Sequence, residues 1–281
     1  MFRFLCLMLL LLSAEGWGAG LSVSAPPAIG TAVLLQVTEV PAGARVTGTL
    51  NGVPVPLTAE HRALLALDME AKPGPVVVRV EVDPPQGKRE VLTRKWTVAA
   101  RTYHEEHLAL PKEKVELAPV AQERAARETA AILAAFQRRG GRVGYADGFR
   151  QPVEGRFSGV FGSRRVLNGK PRRPHNGVDI AAPQGTPLVA MAPGVVALLG
   201  QDYFFTGNTL ILDHGDGVLS LYAHLDSVAV QADEWVAAGT VLGTVGMTGR
   251  ATGPHLHWGV MVRGDRVDPV LLPGVRPGEA P

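Results

Sequence analysis

The stretch Val218-Leu219-Ser220-Leu221-Tyr222-Ala223-His224-Leu225 decides the fold class of the C-terminal half of the chain. Leu219, Leu221, Ala223 and Leu225 recur at every second position. In an extended chain such residues share one face, while Ser220, Tyr222 and His224 share the other. The spacing predicts a half-buried strand that turns Tyr222 and His224 to a polar side, where a site can lie. Further strand patterns cover residues 194–198, 208–213 and 254–262, and residues 235–245 hold a turn and another strand. Residues 146–275 therefore read as one long β-domain.

Two other compositions precede it. Residues 21–100 carry the runs Val33-Leu34-Leu35-Gln36-Val37 and Pro75-Val76-Val77-Val78-Arg79-Val80-Glu81-Val82, with Asn51-Gly52 between them as a hairpin signal and Trp96-Thr97-Val98 as a closing strand. Five or so short strands predict a small β-sandwich. Residues 101–145 read as a helical connector. Pro119 opens a stretch through Arg139 without Gly or Pro, Ile132, Leu133 and Phe136 form an apolar patch, and Gly140-Gly141 ends it. His61, His104 and His107 have no acidic partner at a useful spacing and are expected to be structural or solvated. The chain is thus expected to be mainly β. Gly (33) and Pro (22) make up about a fifth of its 281 residues, against roughly 12% in ordinary proteins, which argues against a helical bundle. An apolar content of 46% excludes wholesale disorder, and a formal net charge of +2 is too small for a strongly basic nucleic-acid binder.

Met1-Phe2-Arg3 leads into an apolar run from Phe4 to Leu12 and then Ser13-Ala14-Glu15-Gly16. A basic start, a short apolar core and small residues form the pattern of a secretory signal. The run is shorter than the roughly 20 residues that a spanning helix needs. Residues 1–20 are expected to be a signal peptide and the protein to be exported, with an uncleaved anchor as the alternative. Cys6, the only cysteine, lies in this segment. The processed chain would then have no disulfide and no thiol nucleophile.

Five of the eight histidines fall in residues 146–275. His175 and Asp179 form His-Asn-Gly-Val-Asp, His255 and His257 form His-Leu-His, and His224 lies in the strand quoted above. Residues two apart on a strand point the same way, so His255 and His257 can aim at one site while Leu256 packs behind them. His175 and Asp179 are four apart and can share a face, and Asn176-Gly177 suggests a loop entering a strand rather than a helix. Two histidines and a carboxylate with an open fourth position are a donor set of catalytic zinc.

These residues sit in longer stretches that resemble the lysostaphin-like zinc metallopeptidases. The stretches are Gly159-Val160-Phe161-Gly162-Ser163-Arg164-Arg165, Pro174-His175-Asn176-Gly177-Val178-Asp179-Ile180-Ala181-Ala182-Pro183, Gly207-Asn208-Thr209, Asp213-His214-Gly215, Leu221-Tyr222-Ala223-His224-Leu225, Gly246-Met247-Thr248-Gly249 and Thr252-Gly253-Pro254-His255-Leu256-His257-Trp258. They span somewhat under half the chain, in the family's order. The β-domain and connector before them resemble exported Gram-negative members. The resemblance implies an antiparallel β-sheet peptidase domain in which His175, Asp179 and His257 bind zinc. It makes His224 and His255 catalytic residues beside the metal, and His214 a structural turn residue. Gly259 stands where many members carry a glutamate that is not a ligand.

The implied activity is zinc-dependent hydrolysis of peptide cross-links in peptidoglycan, with D-alanyl-diaminopimelate bonds favoured. Two alternatives stand beside it: a silent activator of other wall hydrolases, as in relatives that have lost their ligands, and a wall-binding module with the β-sandwich as its functional part. No His-Glu-x-x-His motif occurs, so a histidine must serve as general base, and its ordinary pKa near 6.5 suits it. Either His255 or His224 would take the water proton, and the other would face the oxyanion. Tyr222 is expected to pack rather than to hold substrate. Arg150, Arg156, Arg164, Arg165, Lys170, Arg172 and Arg173 crowd the approach to His175 and could draw in an anionic wall polymer. A monomer is expected. The N-terminal half, which has no catalytic part, raises the idea of a covered groove opened by a protein regulator.

Overall fold

The computed structural model describes residues 18–108 and 118–275. Residues 1–17, most of the expected export signal, and the Glu113-Lys114 part of the expected connector lie outside the described residues.

The chain begins with β1 (Gly20–Val23), β2 (Thr31–Thr38), β3 (Arg45–Leu50), β4 (Val53–Val55), β5 (Arg62–Leu67), β6 (Gly74–Asp83) and β7 (Glu90–Val98). They form two antiparallel sheets, ordered β1-β2-β5 and β4-β3-β6-β7. The alternating valines of β6 explain the pairing of layers. Val78, Val80 and Val82 are buried against Val33, Leu35, Val37 and Leu65 of the other sheet, which is the expected sandwich. Asn51 and Gly52 both have positive φ (50° and 81°) between the paired residues Leu50 and Val53, the backbone a two-residue hairpin demands. In β5, Ala63, Leu64, Leu65 and Ala66 are all buried, so period-two alternation is lost. The reason is a second contact. Leu64 and Ala66, with Ala32 and Met69, belong to the core of the C-terminal sheet. Arg266 ties this contact with Nη2 2.7 Å and Nε 2.9 Å from the two Asp68 oxygens, and Arg101 lies 2.6 Å from Asp268.

The stretch that reads as a connector carries β8 (Glu105–Leu108) and α1 (Pro119–Ala135). β8 pairs in parallel with β10 (Arg164–Leu167), which also pairs with β11 (Lys170–Pro171). His107 is exposed and 2.8 Å from Glu105, while the His104 carbonyl accepts the Arg164 N–H. α1 starts at Pro119 as expected but stops short of Arg139. There the chain turns so that Gly140 N–H reaches the Asp213 carboxylate at 3.0 Å. Ile132 and Phe136 pack on Ile211, Leu219, Leu221 and Ala223, but Leu133 of the expected apolar patch is half exposed.

The remaining strands are β9 (Arg156–Gly159), β12 (Gly177–Ala181), β13 (Pro187–Val189), β14 (Gly194–Tyr203), β15 (Gly207–Asp213), β16 (Val218–Val228), β17 (Trp235–Val236), β18 (Val241–Val245), β19 (His255–Val262) and β20 (Asp265–Val267). They build an antiparallel sheet whose main path is β17-β14-β15-β16-β19-β12-β9, with β18 and β20 attached to β16 and β19. One face of its centre holds Tyr222, Leu256, Trp258 and Val260 in the large core, and the other holds Leu219, Leu221 and Ala223 beneath α1.

The expected polar side of β16 is therefore not polar surface. Ser220 and Tyr222 are fully buried in a hydrogen-bonded chain. His214 Nδ1–H donates to the Pro193 carbonyl (2.7 Å), His214 Nε2 lies 2.8 Å from Ser220 Oγ, Ser220 Oγ lies 3.1 Å from Tyr222 Oη, and the Met191 N–H donates to that hydroxyl (3.1 Å). Every polar group on this path has a partner, so burial is tolerated and the path pins the core. Burial pushes the His214 pKa down to about 4, with the Pro193 carbonyl opposing it. Between pH 6.5 and about 4 the unfolded chain takes up a proton on this ring that the folded chain refuses, so stability falls as pH is lowered through that window. Denaturant titrations of the metal-free protein should show wild type losing about 3 kcal/mol more than His214→Asn between pH 7 and 4.

Candidate metal centre

The antiparallel pairing of β12 with β19 builds the site. Asp179 stands directly opposite His257, and Ala181 opposite His255. With Leu256 and Trp258 in the core, His255 and His257 share the opposite face, as the His-Leu-His spacing predicts. His175 arrives from the loop before β12, also as expected. His175 Nε2, Asp179 Oδ1 and His257 Nδ1 form a triangle with edges of 3.1, 2.9 and 3.0 Å.

What surrounds these atoms fixes their chemistry. His175 Nδ1–H donates to the Val160 carbonyl at 3.0 Å, so in the neutral ring the lone pair sits on Nε2 and faces the triangle. Burial alone would raise the Asp179 carboxyl, but whenever the His175 and His257 rings carry a proton on the nitrogen facing it, their hydrogen bonds outweigh burial and hold the group well below the usual carboxylate range. Burial pushes His257 down. Tetrahedral zinc with bonds of about 2.0–2.2 Å sets its donors roughly 3.3–3.6 Å apart. Two imidazoles and one carboxylate at nearly that separation, partly exposed, fit zinc and leave a side open to solvent. A backbone feature protects the fit. A Cβ at Gly159, which pairs with Asp179, would lie 2.1 Å from Asp179 Oδ2. Gly159 is part of the site, and nothing in its own chemistry announces it.

His224 reaches the site by a different route from the one its strand pattern suggests. Simple alternation would put it beside Tyr222 in the core. Instead β16 carries an extra residue: Leu210 pairs with Tyr222 and Asn208 with Leu225, so one residue of β15 faces two of β16. His224 adopts φ +65° at this bulge, and its ring swings to the face of Ala223. It lies 4.6 Å from the His255 ring and 6.4 Å from the His257 ring, centre to centre.

The Gly207-Asn208 and Met247-Thr248 stretches hold the bulge. His224 N–H donates to the Thr206 carbonyl (2.8 Å) and His224 Nδ1–H to the Thr248 carbonyl (2.8 Å), while Thr248 Oγ1 donates to the Leu225 carbonyl (2.9 Å). Burial lowers the His224 pKa to about 4. His255 Nδ1–H donates to the Gly253 carbonyl (2.8 Å), and its Nε2 lies 3.9 Å from Asp179 Oδ1. Both flanking rings thus have Nδ1 occupied by a carbonyl and Nε2 available for proton transfer. Beyond His257, Phe136, Leu221, Gly259, Met261 and Arg266 line a shallow cleft on the same face.

A left-handed histidine is strained, whereas glycine is at ease there. Thermal or denaturant unfolding should therefore find His224→Gly more stable than His224→Ala by about 1 kcal/mol, the reverse of the usual order within a strand.

Residues 173–269 match the model of Peptidase family M23. The chain is 45% identical over 117 residues to the DD-carboxypeptidase/endopeptidase Mpg of Neisseria meningitidis serogroup B, covering 42% of this chain and 27% of that one. It is 38% identical over 122 residues to the peptidoglycan DD-endopeptidase ShyA of Vibrio cholerae, covering 42% and 28%. The chain thus spans about a quarter of the length of these curated relatives. The crystal structure of a putative peptidase M23 from Pseudomonas aeruginosa is similar with a TM-score of 0.65 and 32% identity, over 88% of this chain and 95% of that one.

Proposed function

This chain belongs to peptidase family M23, and on that premise we propose that it is a zinc-dependent endopeptidase cutting peptide cross-links of peptidoglycan, with the D-alanyl-diaminopimelate bond as its target. The observation that carries the reading is the triangle of His175, Asp179 and His257 with two further histidine rings beside it. When bound, zinc supplies a Lewis acid and lowers the pKa of a coordinated water from 15.7 to about 7. His175, Asp179 and His257 hold the metal.

His255 and His224 move the proton. The Gly253 and Thr248 carbonyls fix Nδ1–H on each ring, so Nε2 is the atom that accepts. One ring takes a proton there and returns it to the leaving amine, and the other faces the developing oxyanion once it carries a proton on Nε2. Arg156, Lys170, Arg172 and Arg173 are exposed, precede His175 closely in sequence and favour an anionic polymer. We assign its action to the periplasm, after export; the leader-like residues 1–20 and a wall substrate support this reading. A silent activator or a mere wall-binding module would not need three convergent donors.

Mass spectrometry of soluble products from diaminopimelate-type sacculi tests this. Zinc-loaded protein should release fragments with new free amino groups at former cross-links, and a chelator should abolish release. His255→Ala should slow it by roughly 10²–10⁴-fold, and His257→Ala should abolish it. Cleavage unchanged in His257→Ala would refute the reading. Sacculus binding without cleavage, surviving metal removal, would favour the wall-binding module.

A further inference from the structure

The ring and backbone of His175 are held by one short loop. Val160 accepts its Nδ1–H (3.0 Å), the Gly162 N–H donates to its carbonyl (2.8 Å), and its own N–H donates to the Ser163 carbonyl (2.9 Å). The stiffness of residues 160–163 therefore sets the aim of His175 Nε2. Gly162 has φ +79°, a backbone that glycine adopts without restraint, so the loop needs an external stop.

That stop comes from Tyr103, which lies outside the residues matched to the family model. A Cβ at Gly162 would lie 2.0 Å from Cδ1 of Tyr103, so the ring rests directly on the glycine. The Tyr103 ring meets Phe161 edge-on, 6.1 Å between centres at 71°. The Arg101 guanidinium sits 5.2 and 5.6 Å from these two rings and is anchored 2.6 Å from Asp268. Pairing of β8 with β10 continues the same contact beyond the loop. Tyr103 Oη is buried and has no hydrogen-bond partner among the described residues, so the ring, not the hydroxyl, makes the useful contact.

We infer that Tyr103 is a positioning residue of the metal centre: its ring clamps Gly162, keeps the Val160 carbonyl on His175 Nδ1, and so aims His175 Nε2 at the triangle. Outer partners of metal-ligating histidines commonly matter at the level of about 10–100-fold in affinity. The inference rests on the zinc reading above, and it adds a component from the segment that links the sandwich to the peptidase sheet.

The test uses the full chain with Tyr103→Ala, Tyr103→Leu and Tyr103→Phe. Zinc affinity is read by competition with a chromophoric chelator, coordination geometry by the visible spectrum of the cobalt-substituted protein, and folding by the melting point of the metal-free form. Tyr103→Ala should bind zinc about tenfold more weakly or worse and alter the cobalt spectrum, while Tyr103→Phe stays at the wild-type values. Should Tyr103→Ala not fold, Tyr103→Leu keeps apolar bulk without the flat ring. Weaker zinc binding by Tyr103→Leu at an unchanged metal-free melting point supports the inference. Wild-type affinity and spectrum in a folded Tyr103→Ala or Tyr103→Leu would overturn it, as would a Tyr103→Phe variant as weak as Tyr103→Ala. If wild type itself binds no zinc, the reading of the site fails, and this inference with it.

Discussion

Two ring nitrogens and a carboxylate oxygen, held about 3 Å apart at one point of a sheet, are the constraint around which this protein is built. Lone pairs brought that close, half out of water, gain little from one another and need a cation to draw them together. Antiparallel register supplies two of the three atoms without further effort, because Asp179 and His257 are directly paired across β12 and β19. The third must come from a loop, and much of the remaining structure serves to make that loop as rigid as a strand. Gly159 leaves room for the carboxylate, Val160 fixes the His175 tautomer, and the linking segment covers the outside of the loop.

The flanking histidines show what the chain concedes for function. His224 is held in a left-handed conformation at a bulge, where a histidine is strained. It can be kept there because its backbone N–H, its Nδ1–H and the neighbouring Leu225 carbonyl all have fixed partners. On the other face of the same strand, the Tyr222, Ser220 and His214 chain pins the core against which the bulge is braced. The sandwich adds to this rigidity from the side, through the core it shares at Leu64 and Met69 and through the two-pronged grip of Arg266 on Asp68.

How much of this was legible depends on the period of the signal. The valines of β6, the Asn51-Gly52 turn and the His-Leu-His pair follow rules of two or three residues, and local rules suffice to place them. His175 and Asp179 were legible as a pair because only three residues of loop and strand separate them. His224 was legible as a candidate but not as a direction. Strict alternation puts it with Tyr222, and only the extra residue in β16, visible in its register against β15, turns it around. The polar pattern of Ser220 and its neighbours misled in the same way, since polar atoms on one face of a strand can mean a buried hydrogen-bond chain as well as a surface, whereas Tyr222 packs as expected. The roles of Gly159 and Tyr103 depend on contacts between distant segments, and no short window of sequence contains both partners.

The central claim is that one metal ion sits on His175, Asp179 and His257 and on no other protein group. X-ray absorption at the zinc edge of the fully loaded protein measures that ligand set directly. The account predicts one zinc with two imidazole nitrogens and oxygen donors, all at about 2.0–2.2 Å, and loss of one imidazole in His175→Ala. A first shell with three or more imidazoles, or one that His175→Ala leaves unchanged, would contradict it.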